Sequence, residues 1–169
     1  GQIAAINEGF TMATGEILGW LNSDDLLMPN SLETIATEYM ENESARVFWG
    51  DCIVIDEKNR ILETKVAKDW NLKRLILGGC LPQPSTFISR NVIHEVGLLD
   101  PEYPWTPDWT FYTRVFLRYK PELLKYIPVV LSVDRHHENT KSRQGLERIT
   151  GERRHFIDQV YDASCIPTE

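Results

Sequence analysis

A nearly continuous apolar run at positions 17–21 lies between two amphipathic helix patterns, an arrangement that few folds accommodate. In the first pattern, apolar residues recur three and four positions apart from Ile3 to Ala13, and in the second they recur from Leu32 to Met40. A short apolar run between helices is typical of a strand buried on both faces of a parallel sheet. We therefore expect an α/β fold in which this run is a central strand.

The remainder of the chain alternates between strand and helix patterns. Two segments typical of strands flank a polar turn at positions 56–59, which predicts a hairpin. Further strands are predicted at 85–89 and 123–133, and further helices at 70–77, 91–96, 108–119 and from 144 onward. A hairpin combined with helix-connected strands indicates mixed strand directions. The predicted fold class is thus α/β, with a mixed sheet and a C-terminal helix.

The composition is that of an ordinary globular domain, with 42% hydrophobic and 25% charged residues in a chain of 169. The formal net charge of −7 argues against nucleic acid as the main partner, because a phosphate-tracking surface needs a basic excess.

The three cysteines form no C-x-x-C pair, which favours free thiols in a reducing compartment. No apolar run has the length of a membrane span. We expect a cytoplasmic location, with attachment at the cytoplasmic membrane surface as a second option.

Two adjacent carboxylates, Asp24 and Asp25, follow the apolar run, at the end of a strand where open α/β sheets bind ligands. Such a pair can hold Mg²⁺ or Mn²⁺, hard cations that prefer oxygen ligands. A cation there would stabilise the charge on a departing diphosphate. The alternative is a plain turn, since serine and aspartate are common turn residues.

Asp108 begins a predicted helix and lies between two tryptophans, Trp105 and Trp109. Its carboxylate can serve as a general base or can simply cap the helix. The tryptophans can contact a sugar ring, although tryptophans are more often core residues.

A basic segment, which includes Arg135, His137 and Lys141, follows the last predicted strand. Arginine and lysine suit a diphosphate, and a histidine can complete a metal site. An ordinary solvated loop explains the same composition equally well.

Several motifs occur along the chain in a specific order, among them Asn-Ser-Asp-Asp at 22–25, Gln-Pro-Ser-Thr at 83–86, Asp-Trp at 108–109 and Arg-His-His at 135–137. Together with segments 1–10, 13–21, 49–51 and 96–100, they resemble the family 2 glycosyltransferases. The resemblance extends to about position 145. In that family, the first of these motifs is the D-x-D-type metal motif, and the helix at 108 begins with the general base.

The resemblance implies a partial GT-A fold over residues 1–145 and a C-terminal helix and tail over 146–169. It implies inverting transfer from a nucleotide-diphosphate sugar to the hydroxyl of a saccharide or lipid-linked acceptor, as in polysaccharide biosynthesis. The implied site residues are Asp24, Asp25 and His137 for Mn²⁺ or Mg²⁺, Asn22, Ser23, Arg135 and Lys141 for the donor diphosphate, Asp108 as catalytic base, and Gln83, Pro84, Ser85, Trp105 and Trp109 on the acceptor side.

The sequence also departs from the family pattern. The metal motif begins with Asn22, so Asp25 with Asp24 beside it is the expected metal contact, and Thr110 stands where many relatives have a second acid. The family's N-terminal nucleotide-binding strands have no counterpart in the sequence, so we expect an unpaired sheet edge prone to self-association. A non-catalytic sugar-binding or assembly module and an inactive fragment of the enzyme are alternative readings. A metal-dependent phosphohydrolase would fit the acidic pair but not the later motifs.

Overall fold

The computed structural model describes residues 1–68, 70–137 and 145–162. Within these ranges, no helix combines the length and apolarity needed to cross a membrane. The helices are α1 (Gln2–Met12), α2 (Ser31–Glu41), α3 (Leu72–Ile76), α4 (Arg90–Val96), α5 (Pro107–Arg118) and α6 (Leu146–Asp162). The strands are β1 (Ile17–Leu18), β2 (Leu26–Leu27), β3 (Val47–Ile55), β4 (Ile61–Lys65), β5 (Thr86–Ser89) and β6 (Leu124–Arg135). Short 3₁₀ turns precede β5 (Gln83–Ser85) and β6 (Pro121–Leu123).

The six strands form one mixed sheet in the order β1-β5-β3-β6-β2, with β4 paired to β3. Strand β3 is parallel to β6, whereas its first half pairs antiparallel with β5 and its second half antiparallel with β4. The predicted hairpin is therefore confirmed, with Asn59 in the left-handed conformation (φ 60°) in its turn. The mixed α/β class with a C-terminal helix is confirmed as well.

The prediction of a central parallel strand at positions 17–21 is wrong. Strand β1 covers only Ile17–Leu18, runs antiparallel to β5 and lies at the end of the sheet. Trp20 leaves the sheet and packs on helix side chains, with its ring centroid 5.6 Å from Phe10 and 5.8 Å from Tyr112. The apolar run is thus buried partly by helices, which the local pattern does not distinguish from strand neighbours.

Helices cover both faces of the sheet because alternate residues of β3 point to opposite sides. Val47 and Trp49 belong to the larger core with α1, α3, α4, α5 and α6, whereas Phe48 belongs to a smaller core under α2. Helix α6 shares the larger core. Its Phe156 is buried, and the ring centroid lies 5.6 Å from that of Trp109 on α5.

An apolar groove of about 440 Å³ separates α2 from the β1 end of the sheet. Only one side of the predicted α2 stripe is buried: Ile35 is 2% exposed, whereas Leu32 is 62% and Met40 is 69% exposed. Together with Ala36 and Phe87, these residues line the groove.

Candidate active site

A cavity of about 460 Å³ lies where the loop after β1, the 3₁₀ turn before β5 and the start of α5 meet. Six residues predicted from the sequence line it: Asn22, Asp25, Gln83, Pro84, Trp105 and Asp108. The loop that was expected to bind metal and the carboxylate that was expected to act as a base therefore share one cavity, although they lie far apart in the sequence. Four ionisable residues outside the predicted motifs line it as well, Lys65, Cys80, Asp134 and Arg153, together with His136 of the Arg-His-His motif.

Asp25 is buried at the floor of the acidic loop, and both of its oxygens accept hydrogen bonds. The backbone N–H of Arg135 donates to Oδ1 (2.9 Å), and the side-chain amide of Asn22 donates to Oδ2 (3.0 Å). The same Asn22 amide donates to Gln83 Oε1 (3.0 Å), and Gln83 Nε2 donates to the carbonyl of Trp20 (2.6 Å). This network fixes Asn22 and Gln83 to each other, so hydrogen bonds connect the predicted metal motif to the predicted acceptor side.

Negative charge accumulates around Asp25. Burial raises the pKa of its carboxyl, and the carboxylates of Asp134 and Asp24 raise it further, against the opposing effect of the two hydrogen bonds. A cation bound in this loop would offset that repulsion.

Asp24 lies beside His137, with 3.3 Å between Asp24 Oδ2 and His137 Nε2, and both side chains are about one-third exposed. Neither lines the cavity, but each adjoins a residue that does, Asp25 and His136 respectively. Two of the three predicted metal ligands are therefore in contact. Among the described residues, no three His, Cys, Asp or Glu side chains are placed to hold one ion.

Arg135 holds the acidic loop in place. Its Nε donates to the carbonyl of Asp24 (3.1 Å), and its Nη1 donates to Asn59 Oδ1 (2.8 Å) in the β3–β4 turn. The guanidinium that was predicted to bind the diphosphate thus bridges two loops of the protein.

Asp108 is the second residue of α5, after Pro107 at the first position, and the N-cap is Thr106. The alternative role of Asp108 as an N-cap is therefore wrong. Its Oδ2 accepts a hydrogen bond from the thiol of Cys80 (3.2 Å). Burial raises the pKa of that thiol well above its usual range, and the Asp108 carboxylate adds to the rise, so the thiol keeps its proton and donates it to this bond.

Glu152 of α6 binds the chain just before Asp108. Its carboxylate accepts hydrogen bonds from the backbone N–H of Trp105 (3.0 Å to Oε2), the backbone N–H of Thr106 (2.9 Å) and the Thr106 hydroxyl (2.9 Å). A negative charge at this position also interacts favourably with the N-terminal dipole of α5. Helix α6 therefore orients the segment that presents Asp108.

The remaining predicted residues have other surroundings. Ser85 is fully buried and its hydroxyl donates to the carbonyl of Asp51 (2.7 Å), so it is a core residue. Trp109 is also fully buried, and its indole N–H donates to the carbonyl of Leu75 (2.9 Å). Trp105 is thus the tryptophan of the predicted pair that lines the cavity. Ser23 is exposed in the acidic loop, and Lys141 falls outside the described residues.

Two members of a charged cluster beside the sheet, Lys65 and Asp134, were not predicted from the sequence, whereas the third, His136, belongs to the Arg-His-His motif. Lys65 at the end of β4 donates to Asp134 Oδ2 (2.9 Å), and His136 Nε2 lies 3.2 Å from the same oxygen. Asp134 lies in β6 and His136 directly follows the strand, and their spacing of two predicts side chains on one side of the chain. No comparable local signal marks Cys80 or Glu152, since their partners lie 28 and 46 residues away.

The fold matches solved structures of S. aureus TarS. The structure of residues 1–349 of S. aureus TarS in complex with UDP aligns over 90% of this chain and 45% of that chain, with a TM-score of 0.61 and 15% identity. The same region of TarS in complex with UDP-GlcNAc aligns over 86% of this chain and 45% of that one, with a TM-score of 0.57 and 14% identity. The molecule is thus a partial GT-A fold, as predicted.

The family model for glycosyl transferase family 2 matches residues 1–89, more than half of the sequence, and the chain belongs to that family. An uncharacterized glycosyltransferase of Rickettsia conorii is 24% identical over 155 residues, and one of Rickettsia felis is 26% identical over 156. These alignments cover 87% of this chain and 24% and 25% of the relatives. The chain therefore spans about a quarter of the length of the curated relatives it matches.

Proposed function

We propose that this chain forms the metal-binding and acceptor side of a glycosyltransferase that uses a nucleotide-diphosphate sugar and inverts the anomeric centre. The observation that supports it best is the single cavity shared by the Asn22–Asp25 loop and Asp108 in a member of this family. The TarS structures with UDP and UDP-GlcNAc make uridine diphosphate sugars the first donors to test.

The acidic loop fits a divalent cation that draws part of its coordination from the substrate. Asp24, Asp25 and His137 are the groups that would hold Mn²⁺ or Mg²⁺. Because no described set of three ligands surrounds one point, diphosphate oxygens and water would complete the coordination, which is the usual arrangement for Mg²⁺. When bound, the ion would supply positive charge to the leaving diphosphate.

Asp108 is the proposed general base. It would accept the proton of the acceptor hydroxyl while that oxygen forms a bond to the anomeric carbon and the bond from that carbon to the diphosphate oxygen breaks. Two contacts prepare it for this role: the Cys80 thiol holds Oδ2, and Glu152 holds the backbone before the helix. Pro84 and Trp105 would form walls for the acceptor.

Calorimetric titration with UDP-GlcNAc, with and without Mn²⁺, tests the donor side. Affinity should require Mn²⁺, and Asp24→Ala or Asp25→Ala should abolish that requirement together with most of the binding. Asp158→Ala, on the exposed side of α6, is the matched control for loss of one carboxylate. Metal-independent binding, or equal binding by all three variants, would eliminate the metal role of the loop.

A further inference from the structure

Arg153 of α6 lines the cavity near Asp108 and is held there by two contacts. Its Nη1 donates to the carbonyl of Gly78 (2.6 Å), and its guanidinium carbon lies 5.1 Å from the ring centroid of Trp109, the residue after Asp108. The guanidinium is therefore placed in advance of any ligand, which lowers the entropy cost of binding one.

Among the residues that the structure describes, none supplies a negative charge in contact with the Arg153 guanidinium. The other cavity cation, Lys65, is paired with Asp134, whereas no carboxylate in the described ranges lies within 4.0 Å of the Arg153 guanidinium nitrogens. Its Nε is buried and has no hydrogen-bond acceptor among those residues. A partly desolvated cation without a counter-ion is unfavourable, and a bound anion would relieve that cost.

Arg153 lies close to Asp108, the proposed general base. Both residues line the same cavity, and the Arg153 guanidinium packs on the ring of Trp109, the residue that follows Asp108.

We propose that Arg153 binds an oxyanion of the acceptor, a phosphate or a carboxylate situated near the attacking hydroxyl. The guanidinium fork suits either group, because two parallel N–H donors match the spacing of their oxygens. This inference rests on the proposed function, since it defines the acceptor as an anionic alcohol. An acceptor held by its anionic group at Arg153 would present a neighbouring hydroxyl to Asp108.

NMR of the arginine Nε–H groups in the whole chain tests this directly, with the Arg153 signal assigned by its loss in Arg153→Lys. Glycerol 3-phosphate and glycerate are the anionic probes, and glycerol is the neutral one. We expect at least one anionic probe to shift the Arg153 signal in a saturable way while glycerol does not. A response to glycerol 3-phosphate alone would assign the site to phosphate, and a response to glycerate alone to carboxylate. Saturating UDP with Mg²⁺, which is diamagnetic, should leave the shift in place.

Arg153→Gln should weaken binding of the responding probe by about tenfold or more, the usual effect of losing a charged hydrogen bond. Arg154→Gln removes the same charge from the exposed neighbour on α6 and should change affinity by less than about twofold. If Arg153→Gln does not fold, the probe titrations of wild type and of Arg153→Lys test the proposal instead. An unmoved Arg153 signal with both anionic probes, competition by UDP, or equal losses in the two glutamine variants would overturn the proposal. UDP binding is measured separately. Absence of UDP binding would refute the proposed donor site but not the anion site. Absence of anion binding would refute the anion site but not the donor site.

Discussion

Replacing Glu152 with alanine should destabilise the protein by about 3 kcal/mol. The substitution removes the acceptor of three hydrogen bonds, from the backbone N–H groups of Trp105 and Thr106 and from the Thr106 hydroxyl. Hydrogen bonds to a charged group contribute roughly 1.5–3 kcal/mol each. Because Glu152 is partly exposed, water replaces some of that stabilisation in the variant. We therefore expect the three bonds together to contribute about 3 kcal/mol, less than the sum of three separate bonds. In a domain of this size, the melting temperature should fall by about 6–12 °C.

Calorimetry on three variants separates this effect from a general loss of helix stability. Glu152→Gln keeps one acceptor oxygen and should lose about half as much stability as alanine. Asp158→Ala, on the exposed face of the same helix, should change stability by no more than about 0.5 kcal/mol. A melting temperature for Glu152→Ala within about 2 °C of wild type would refute the reasoning.

Asp108→Asn should slow sugar transfer by about 10²- to 10⁴-fold and leave donor affinity nearly unchanged, since it removes the base and keeps the side-chain shape. Steady-state kinetics measures both, and near-normal turnover would assign the base to another residue. Because burial raises the pKa of Asp25 above 3.8, the folded protein loses stability as pH rises from that value through the raised pKa. Asp25→Asn lacks this loss, so its melting temperature relative to wild type should increase as the pH rises above about 3.8, and a constant difference in thermal melts would contradict the shift. The exposed Leu32 and Met40 should make the chain self-associate, and Leu32→Lys with Met40→Lys should reduce this in light scattering; a monomeric wild type at tens of micromolar would disprove it.

Helix positions were predictable because their periodicity is local. The patterns at 3–13, 91–96 and 108–119 correspond to α1, α4 and α5, and Gly97 ends α4 with φ 91° as a C-terminal glycine should. The strand pattern at 17–21 failed because a strand is defined by its partners. Only Ile17 and Leu18 pair with β5, and Trp20 is buried by helices instead.

Cavity residues were predictable where they belong to motifs that follow the family's order along the sequence. They were not predictable where segments distant in the sequence meet. Asn22, Asp25, Gln83 and Asp108 share a cavity as their order in the family suggested. Ser85 belongs to the same motif as Gln83 but points into the core, because the 3₁₀ turn directs neighbouring side chains in different directions.

The bridging position of Arg135 affects how substitutions of this residue should be interpreted. Alanine at 135 would lower activity even if no substrate ever touched the guanidinium, because it releases the carbonyl of Asp24 and the β3–β4 turn together. Asn59→Gly suits the left-handed backbone at that position, removes the side-chain acceptor in the turn and leaves the longer bond to the Asp56 carbonyl (3.4 Å). Comparing the two variants therefore separates anchoring from recognition, and an Asn59→Gly phenotype close to that of Arg135→Ala would mark Arg135 as a scaffold residue.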